Sequence, residues 1–246
     1  MPLEFHVSDT MVAAHTRTVT ALAMATHPTL GPVVVFTGSQ DGTLRYWRMD
    51  SSTLPFTCGG LLEGHVRGIT KMKHVTLSSG ASVLITASMT GVIKLYDLSS
   101  MKCVRSLGKA LNGHSETVTA LEIWISNAEP FLISGGLDKK VIVWSLTAPF
   151  GQLFNEVQES SITCLCGSTD KKNSPVLLLG MSNGNIVIED RPSFEYKTML
   201  TGHLGVGHRE AVRRIVNGPS HTFFSAGGDK KAIAWQWVEG VDTIKS

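Results

Sequence analysis

Alternating apolar and polar residues mark a series of short strands along this chain. Residues 15–23 alternate after the histidine, and residues 33–37 form a β-branched apolar run that is typical of a buried strand. Asp41-Gly42 predicts a tight hairpin turn before a third strand at 43–47. A short fourth strand is predicted at 54–57, where the proline suits an edge position. These four strands make one antiparallel unit.

The same pattern recurs at intervals of about 45–49 residues. Its five copies end at Trp47, Tyr96, Trp144, Glu189 and Trp235. A period of this length indicates an array of one supersecondary unit, in which neighbouring units bury faces on each other. Four short antiparallel strands per unit are typical of a propeller blade. We therefore predict an all-β fold of five four-stranded blades in one domain, 1–246, with units at about 14–57, 58–106, 107–153, 154–198 and 199–240.

A histidine, a hydroxyl residue, an aspartate and a tryptophan stand at matching places in three of the five units. This set resembles the signature of the WD-repeat family, whose members are β-propellers. The resemblance implies that the four side chains form a hydrogen-bonded tetrad in each complete unit. In the fifth unit we assign His208 rather than His203, because an apolar residue follows His208 four positions later, as in other units. The implied structural tetrads are His15, Thr37, Asp41 and Trp47; His114, Ser134, Asp138 and Trp144; and His208, Ser225, Asp229 and Trp235.

The other two units depart from the signature. The second keeps His65 and Thr86 but ends in Tyr96. The fourth keeps none of the four residues, since Gln158 replaces the histidine and Glu189 replaces the tryptophan. A carboxylate at a core position predicts that this degenerate blade exposes the strand that carries Glu189.

Four segments outside the tetrads, 161–167, 175–178, 191–194 and 223–224, narrow the resemblance to one group of WD-repeat proteins. They are similar to the last two blades of plant-type proteins that join CCCH zinc fingers to a WD-repeat propeller. The first unit resembles the third of seven blades there. On this resemblance the chain corresponds to the last five blades. The CCCH residues are not in this sequence, so zinc or RNA binding is not carried over.

The N-terminal segment bears on whether the array closes. Residues 3–7 alternate and precede His15 by about the distance at which Leu54 precedes His65, so they are predicted to supply the outer strand of the last blade. That blade then needs three strands of its own, ending at Trp237. The five blades form a small closed ring, an open arc completed by another chain, or an incomplete version of a longer protein. The seven-blade resemblance favours an incomplete or open propeller.

A serine, a histidine and an aspartate in one unit also invite comparison with a hydrolase triad. The set occurs more than once and has a tryptophan at its far end, and the sequence contains no nucleophile elbow, phosphate loop or H-E-x-x-H motif. The four cysteines lack C-x-x-C spacing. We therefore predict no enzyme activity, no metal and no cofactor. With no signal peptide or membrane span in the sequence, we expect free thiols in the cytoplasm or nucleus and no membrane partner.

Cations cluster beside the predicted tetrads, although the formal net charge is only +2. In WD-repeat propellers the histidine loops and aspartate turns lie on one rim, so the resemblance implies a basic face there. Exposed lysines in turns are often merely solvated. Our hypothesis is a non-catalytic scaffold or adaptor for a protein or peptide partner that is acidic or phosphorylated, with RNA as the second choice of ligand. The alternative function is an RNA-associated WD-repeat protein that is part of a longer CCCH zinc-finger protein. The candidate partner-binding residues are Arg17, Arg67, Lys139, Lys140, Arg209, Lys230 and Lys231.

Overall fold

The computed structural model describes residues 15–27, 30–49, 56–126, 128–147, 150–202, 207–237 and 244–245. Within these ranges the regular structure is β-strand, apart from a short 3-10 turn at Lys109–Leu111. The strands form five four-stranded antiparallel sheets, which confirms the predicted all-β fold of propeller-type blades. The chain divides into two compact units, Met1–Leu107 and Gly108–Ser246.

The first unit contains two sheets whose strands pair in chain order. In the first sheet the strands are β1 (Val19–His27), β2 (Gly31–Ser39), β3 (Leu44–Met49) and β4 (Phe56–Leu62). In the second sheet they are β5 (Ile69–Thr76), β6 (Ser82–Ser88), β7 (Ile93–Asp97) and β8 (Lys102–Leu107).

The second unit contains three sheets with the same meandering order. The third sheet has β9 (Val118–Ser126), β10 (Glu129–Gly136), β11 (Lys140–Ser145) and β12 (Gly151–Val157). The fourth sheet has β13 (Ile162–Thr169), β14 (Pro175–Met181), β15 (Ile186–Asp190) and β16 (Tyr196–Leu200). The fifth sheet has β17 (Val212–Asn217), β18 (Thr222–Gly227), β19 (Ala232–Trp237) and β20 (Ile244–Lys245).

The cores lie between consecutive sheets of each unit. We call the face of a sheet that contacts the next sheet its leading face, and the face that contacts the preceding sheet its trailing face. Successive side chains of a strand point to opposite faces of the sheet, so one strand supplies apolar residues to both faces. The core pairs below are leading-face residues followed by the trailing-face residues that they meet. They are Phe36 and Leu44 with Ile69 and Met72; Ile133 and Val141 with Ile162 and Leu165; and Leu178 and Ile186 with Val212 and Ile215.

A β-bulge recurs at the second residue of the first strand of each sheet. It places Thr20, Thr119 and Thr163 out of register with their neighbouring strands. Bulges re-aim a side chain, and here each threonine hydroxyl donates to a backbone carbonyl at the start of the next sheet in its unit. The acceptors are the carbonyl oxygens of Ile69, Ile162 and Val212 respectively. These hydrogen bonds add direction to an otherwise apolar contact between sheets.

Two expectations about outer strands need correction. The fourth strand of the first sheet is Phe56–Leu62, so it runs five residues beyond the predicted end at Thr57 and beyond the boundary at 57/58. The fifth sheet does not stop at Trp237, because Ile244 and Lys245 pair with Trp237 and Gln236 as its fourth strand. The proposed closing strand at 3–7 lies outside the described residues.

Candidate functional site

The first-repeat residues meet in a continuous hydrogen-bond relay. The Trp47 indole N–H donates to the Thr37 hydroxyl at 2.9 Å, and that hydroxyl lies 2.7 Å from Nε2 of His15. Nδ1 of His15 lies 2.7 Å from the Thr43 hydroxyl, which itself donates to the Asp41 carboxylate at 2.5 Å. Asp41 Oδ2 is 3.6 Å from His15 Nδ1, so Thr43 bridges the two residues. Sequence reasoning missed Thr43, although it follows the Asp-Gly turn directly.

The third and fifth repeats make the direct form of the same network. In the third, Nδ1 of His114 lies 2.8 Å from Asp138 and Nε2 lies 2.8 Å from the Ser134 hydroxyl, which accepts from Trp144. In the fifth, His208 reaches Asp229 at 2.9 Å and Ser225 at 2.7 Å, and Trp235 donates to Ser225. His208 therefore stands in the tetrad position; His203 lies outside the described residues.

The aspartates also fix the backbone of the histidine loops. Each accepts from the amide of the residue after its histidine, and these residues are Thr16, Ser115 and Arg209. Burial opposes ionisation of Asp41, but the Thr43 hydroxyl and amide that donate to it lower its pKa overall. Burial also opposes ionisation of Asp138, but the hydrogen bond from His114 outweighs this effect, and the pKa of Asp138 is lowered. The carboxylates are therefore held ionised as acceptors for ring and backbone N–H groups.

The second repeat replaces half of the network. His65 Nε2 lies 2.7 Å from the Thr86 hydroxyl, while Tyr96 donates instead to the backbone carbonyl of Glu63 at 2.5 Å. Burial, with a smaller contribution from Lys94, lowers the pKa of His65 to about 4, so the ring is neutral at physiological pH. A phenol can thus take the tryptophan position because another acceptor lies within reach.

The fourth repeat closes its network with one hydrogen bond. Gln158 and Glu189, which occupy the histidine and tryptophan positions, meet directly, with the amide Nε2 donating to the carboxylate at 2.8 Å. Glu189 is buried, so the prediction that its strand is exposed was wrong. Burial raises the pKa of Glu189 to about 8, and nearby Glu156 adds to the shift. A hydroxyl relay is not possible, since Leu179 stands where the other repeats have serine or threonine.

The Asp–His–Ser trios have the hydrogen-bond order of a hydrolase triad but not its accessibility. The hydroxyl residues Thr37, Ser134 and Ser225 are buried, and each also accepts from a tryptophan. A nucleophile must reach a substrate atom at about 3 Å, which these hydroxyls cannot do. The trios therefore hold their repeats together by satisfying buried polar groups.

The candidate cations lie next in sequence to the residues of these networks, and most of their side chains are exposed. In the first unit, Arg17 and Arg67 lie in the histidine loops and are exposed. In the second unit, the backbone N–H groups of Lys140 and Lys231 donate to Asp138 and Asp229. The exposed cationic side chains in these two loop sets are those of Lys139, Arg209, Lys230 and Lys231, with Lys140 half-buried. The carboxylates of Glu116 and Glu210 are exposed in the same loops.

Between these basic loops lies a polar turn of the fourth repeat. Glu159 accepts from the side-chain amides of Asn183 at 2.9 Å and Asn185 at 2.7 Å. These hydrogen bonds lower the pKa of Glu159. The cations of the loops in the second unit thus lie on the third and fifth repeats, and the loop of the fourth repeat carries Glu159 without a cation.

Each unit also has an open cavity. In the first unit a cavity of about 410 Å³ lies beside the Asp41 turn and the His65 loop, with Lys94 and Val66 in its wall. In the second unit a cavity of about 640 Å³ lies where β9, β13 and β17 end, away from the tetrads. Arg191 lines it, with its guanidinium carbon 5.6 Å from the centre of the Trp124 ring, and burial lowers its pKa to about 10.

Among the described residues, no group of three or more His, Cys, Asp or Glu side chains could hold a metal ion. No helix in the same ranges is long and apolar enough to cross a membrane.

Comparison with known proteins supports the repeat pattern. The model of the WD domain, G-beta repeat, matches residues 8–48 and 101–145, which include the tetrads of the first and third repeats. The chain is 29% identical over 209 residues to zinc finger CCCH domain-containing protein 17 of Oryza sativa subsp. japonica, covering 85% of this chain and 44% of that protein. It is 27% identical over 214 residues to zinc finger CCCH domain-containing protein 62 of Arabidopsis thaliana, covering 86% and 47%.

A further similarity lies outside the zinc-finger proteins. The probable coatomer subunit beta' of Schizosaccharomyces pombe is 29% identical over 156 residues, which cover 62% of this chain and 18% of that protein. The chain thus spans less than half the length of these relatives. The matched model shows WD40 repeats at residues 8–48 and 101–145, and the same strand order recurs in all five sheets. The plant CCCH proteins confirm the resemblance drawn from the sequence.

Proposed function

We propose that this WD-repeat protein is a non-catalytic scaffold. Its histidine loops and aspartate turns, which we call the tetrad-side loops, bind an acidic or phosphorylated segment of a protein partner. The observation that carries the proposal is that each loop combines buried, internally hydrogen-bonded polar groups with exposed cations. The histidine, aspartate and hydroxyl groups bind one another. The neighbouring cations Lys139, Arg209, Lys230 and Lys231 are exposed. The fixed backbone lowers the entropy cost of presenting those charges to a ligand.

The loop geometry supports this assignment. Lys139 and Lys230 both have φ of 65°, a left-handed conformation that the aspartate-anchored turn holds in place. The next residue in each turn, Lys140 or Lys231, is tied to the aspartate through its amide. Phosphate and carboxylate groups are bound by clusters of cations of this kind. We infer two equivalent lysine pairs, one on the third repeat and one on the fifth.

Charge reversal tests the proposal. We expect the combined change of Lys139, Lys140, Lys230 and Lys231 to Glu to abolish capture of acidic and phosphoserine peptides from a synthetic peptide array. A matched control reverses four exposed lysines elsewhere, Lys71, Lys102, Lys109 and Lys172. The control changes net charge equally, so it separates local recognition from bulk electrostatics. Unchanged capture by the first variant, or equal loss in both, would reject the tetrad-side site.

RNA is the second candidate ligand, favoured by one feature of the fifth sheet. Arg213 and Arg214 are exposed on β17, and strands β17 to β19 contain no acidic residue. The curated plant relatives carry CCCH zinc fingers by name, but the cysteines here have no such spacing. Filter binding of single-stranded RNA across salt concentrations tests this ligand, because phosphate contacts give a steep loss of affinity with salt.

We place the scaffold in the cytoplasm or nucleus. None of the four cysteines, all within described residues, forms a disulfide, which suits a reducing compartment. We also retain a second chain as a partner that completes the array of blades.

A further inference from the structure

We propose that two copies of this chain associate head to tail, with the trailing face of the first sheet in one copy packed on the leading face of the fifth sheet in the other. Two sheet faces carry the proposal. Both have the residue pattern of the stacked faces, and both are open to solvent.

The trailing face of the first sheet is the first of these. Four residues in equivalent positions of the other sheets, three places after the start of the first strand, have exposed fractions of 5–8%. They are Met72, Leu121, Leu165 and Ile215. The residue of the first sheet in this position, Leu22, is 65% exposed. Val19, at the start of the strand, and Met24 are also exposed, so no sheet among the described residues covers this apolar stripe of β1.

The leading face of the fifth sheet is the second. One position of this face lies directly before the hydroxyl position of the tetrad. In the first four sheets the residue there is 0% exposed; these residues are Phe36, Ile85, Ile133 and Leu178. In the fifth sheet it is Phe224, which is 42% exposed. Its neighbour across the ladder, Val216, is exposed too. Ala232 and Ala234 complete the face from β19 and leave room for a larger side chain from a partner.

The contacts between consecutive sheets within each unit indicate which surface fits the leading face of the fifth sheet. In all three sheet contacts described within the units, a leading face meets a trailing face, with a β-branched residue and a larger aliphatic one inserted from the trailing side. Val19 and Leu22 have the same chemistry and the same spacing as Ile162 and Leu165. A second copy therefore presents the surface for which the fifth sheet has the matching register. Such a contact joins two different faces, so it can propagate or close into a ring of copies.

Two residues make this contact weaker than the internal ones. Arg213 occupies the bulge position where Thr20, Thr119 and Thr163 donate to the next sheet, so that hydrogen bond is lost. Ala226 occupies the position of Gly135, where an added Cβ would lie 2.5 Å from the Cγ2 of Ile162. The second sheet already buries an alanine, Ala87, in that position, so the methyl group can be accommodated. We therefore expect a reversible association.

Complementing variants test the arrangement. Leu22→Asp blocks the trailing face and Phe224→Asp blocks the leading face, and each acts on an exposed side chain. By analytical ultracentrifugation over about 1–200 µM, we expect wild-type protein to show a mass that rises with concentration. Each variant alone should sediment as a monomer. An equimolar mixture should form a one-to-one dimer and nothing larger, because one intact face of each kind remains.

Controls separate this result from misfolding and from general stickiness. Val104→Asp and Leu153→Asp change exposed apolar residues on outer strands and should leave self-association unchanged. Leu22→Arg is a second blocking variant, since it faces Arg214 across the proposed contact. Circular dichroism checks that every variant is folded. Arg213→Thr restores the missing donor and should tighten the dissociation constant by roughly 3–10-fold.

Several results would overturn the proposal. A wild-type monomer at every concentration would do so, whether the faces stay open or a single chain covers both. Self-association that Leu22→Asp and Phe224→Asp leave intact would place the contact elsewhere. Failure of the two variants to pair when mixed would show that the two faces do not meet.

Discussion

The third and fourth repeats lie next to each other in the second unit and bury their polar groups in different ways. The third uses four side chains, with His114 between a carboxylate and a hydroxyl. The fourth uses two, and Gln158 donates directly to Glu189. Both keep the strand pairing and the buried position at the end of the network. The comparison teaches that a blade keeps its strand pairing when the four-residue network is reduced to one hydrogen bond, even with Oε2 of Glu189 buried and without a partner.

Truncation at the end of each network should give the largest difference between the two repeats. Trp144 is fully buried, so Trp144→Ala removes a large side chain and the donor to Ser134. We expect it to lower the free energy of unfolding by about 3–5 kcal/mol. Glu189→Ala removes a smaller group that is costly to bury, and it should lower the same quantity by about 1–2 kcal/mol. Urea denaturation measures both, and equal losses would contradict the comparison.

The pH dependence of stability should have opposite signs in the two networks. The pKa of Glu189 is raised to about 8 from 4.5, so between these values the folded state binds a proton that the unfolded state releases. Stability is therefore lost as pH rises through this window. Asp138 has a lowered pKa, so its contribution is present above pH 3.8 and lost as pH falls below that value.

Glu189→Gln isolates the first of these effects. Glutamine keeps the shape of the side chain and an oxygen that can accept from Gln158, but it does not titrate. We expect the difference in unfolding free energy between pH 5.5 and pH 8.5 to be smaller in this variant than in the wild type. Parallel pH profiles for the two proteins would show that Glu189 is not the responsible group.

Removal of one hydroxyl should have a medium effect in the third repeat. Ser134→Ala leaves Nε2 of His114 and the indole N–H of Trp144 without their partner, which we expect to cost about 1–3 kcal/mol. Ser182→Ala in the fourth repeat removes an exposed hydroxyl that pairs with Ser160, and it should change stability by less than about 0.5 kcal/mol. Thermal unfolding of both variants measures the contrast, and a loss at Ser182 as large as that at Ser134 would contradict it.

Sequence periodicity predicted the repeat and the sheets because both depend on local pattern and turn residues. The resemblance to the WD-repeat signature, and not the periodicity, placed His15 beside Thr37. It could not show that Thr43 bridges His15 to Asp41, because a displacement of about 1 Å decides which group accepts the ring N–H. Strand ends such as Leu62 depend on pairing with another strand, which no local signal specifies.

The burial of Glu189 was missed for a related physical reason. A carboxylate is exposed on average, so its polarity outweighed its place in the repeat. The place in the repeat was the better guide, since the buried position is set by the sheet and not by the side chain that fills it. The useful signal was a coincidence within one unit: the glutamine and the glutamate replace the two ends of the same network.

The smallest expected effect concerns the turns, where the two repeats differ by one atom. Asn183 stands at the aspartate position of the fourth repeat; its Oδ1 accepts from Asn185 and its amide donates to Glu159. Asn183→Asp keeps the turn but places a carboxylate 2.9 Å from another, with no histidine to neutralise it. We expect a loss of about 0.5 kcal/mol at low salt that shrinks as salt screens the repulsion. Chemical denaturation at two salt concentrations tests this, with Asp138→Asn as the matched change. If Asn183→Asp stabilised the protein, an aspartate would suit the turn without its histidine, and the two networks would be less distinct than their contacts indicate.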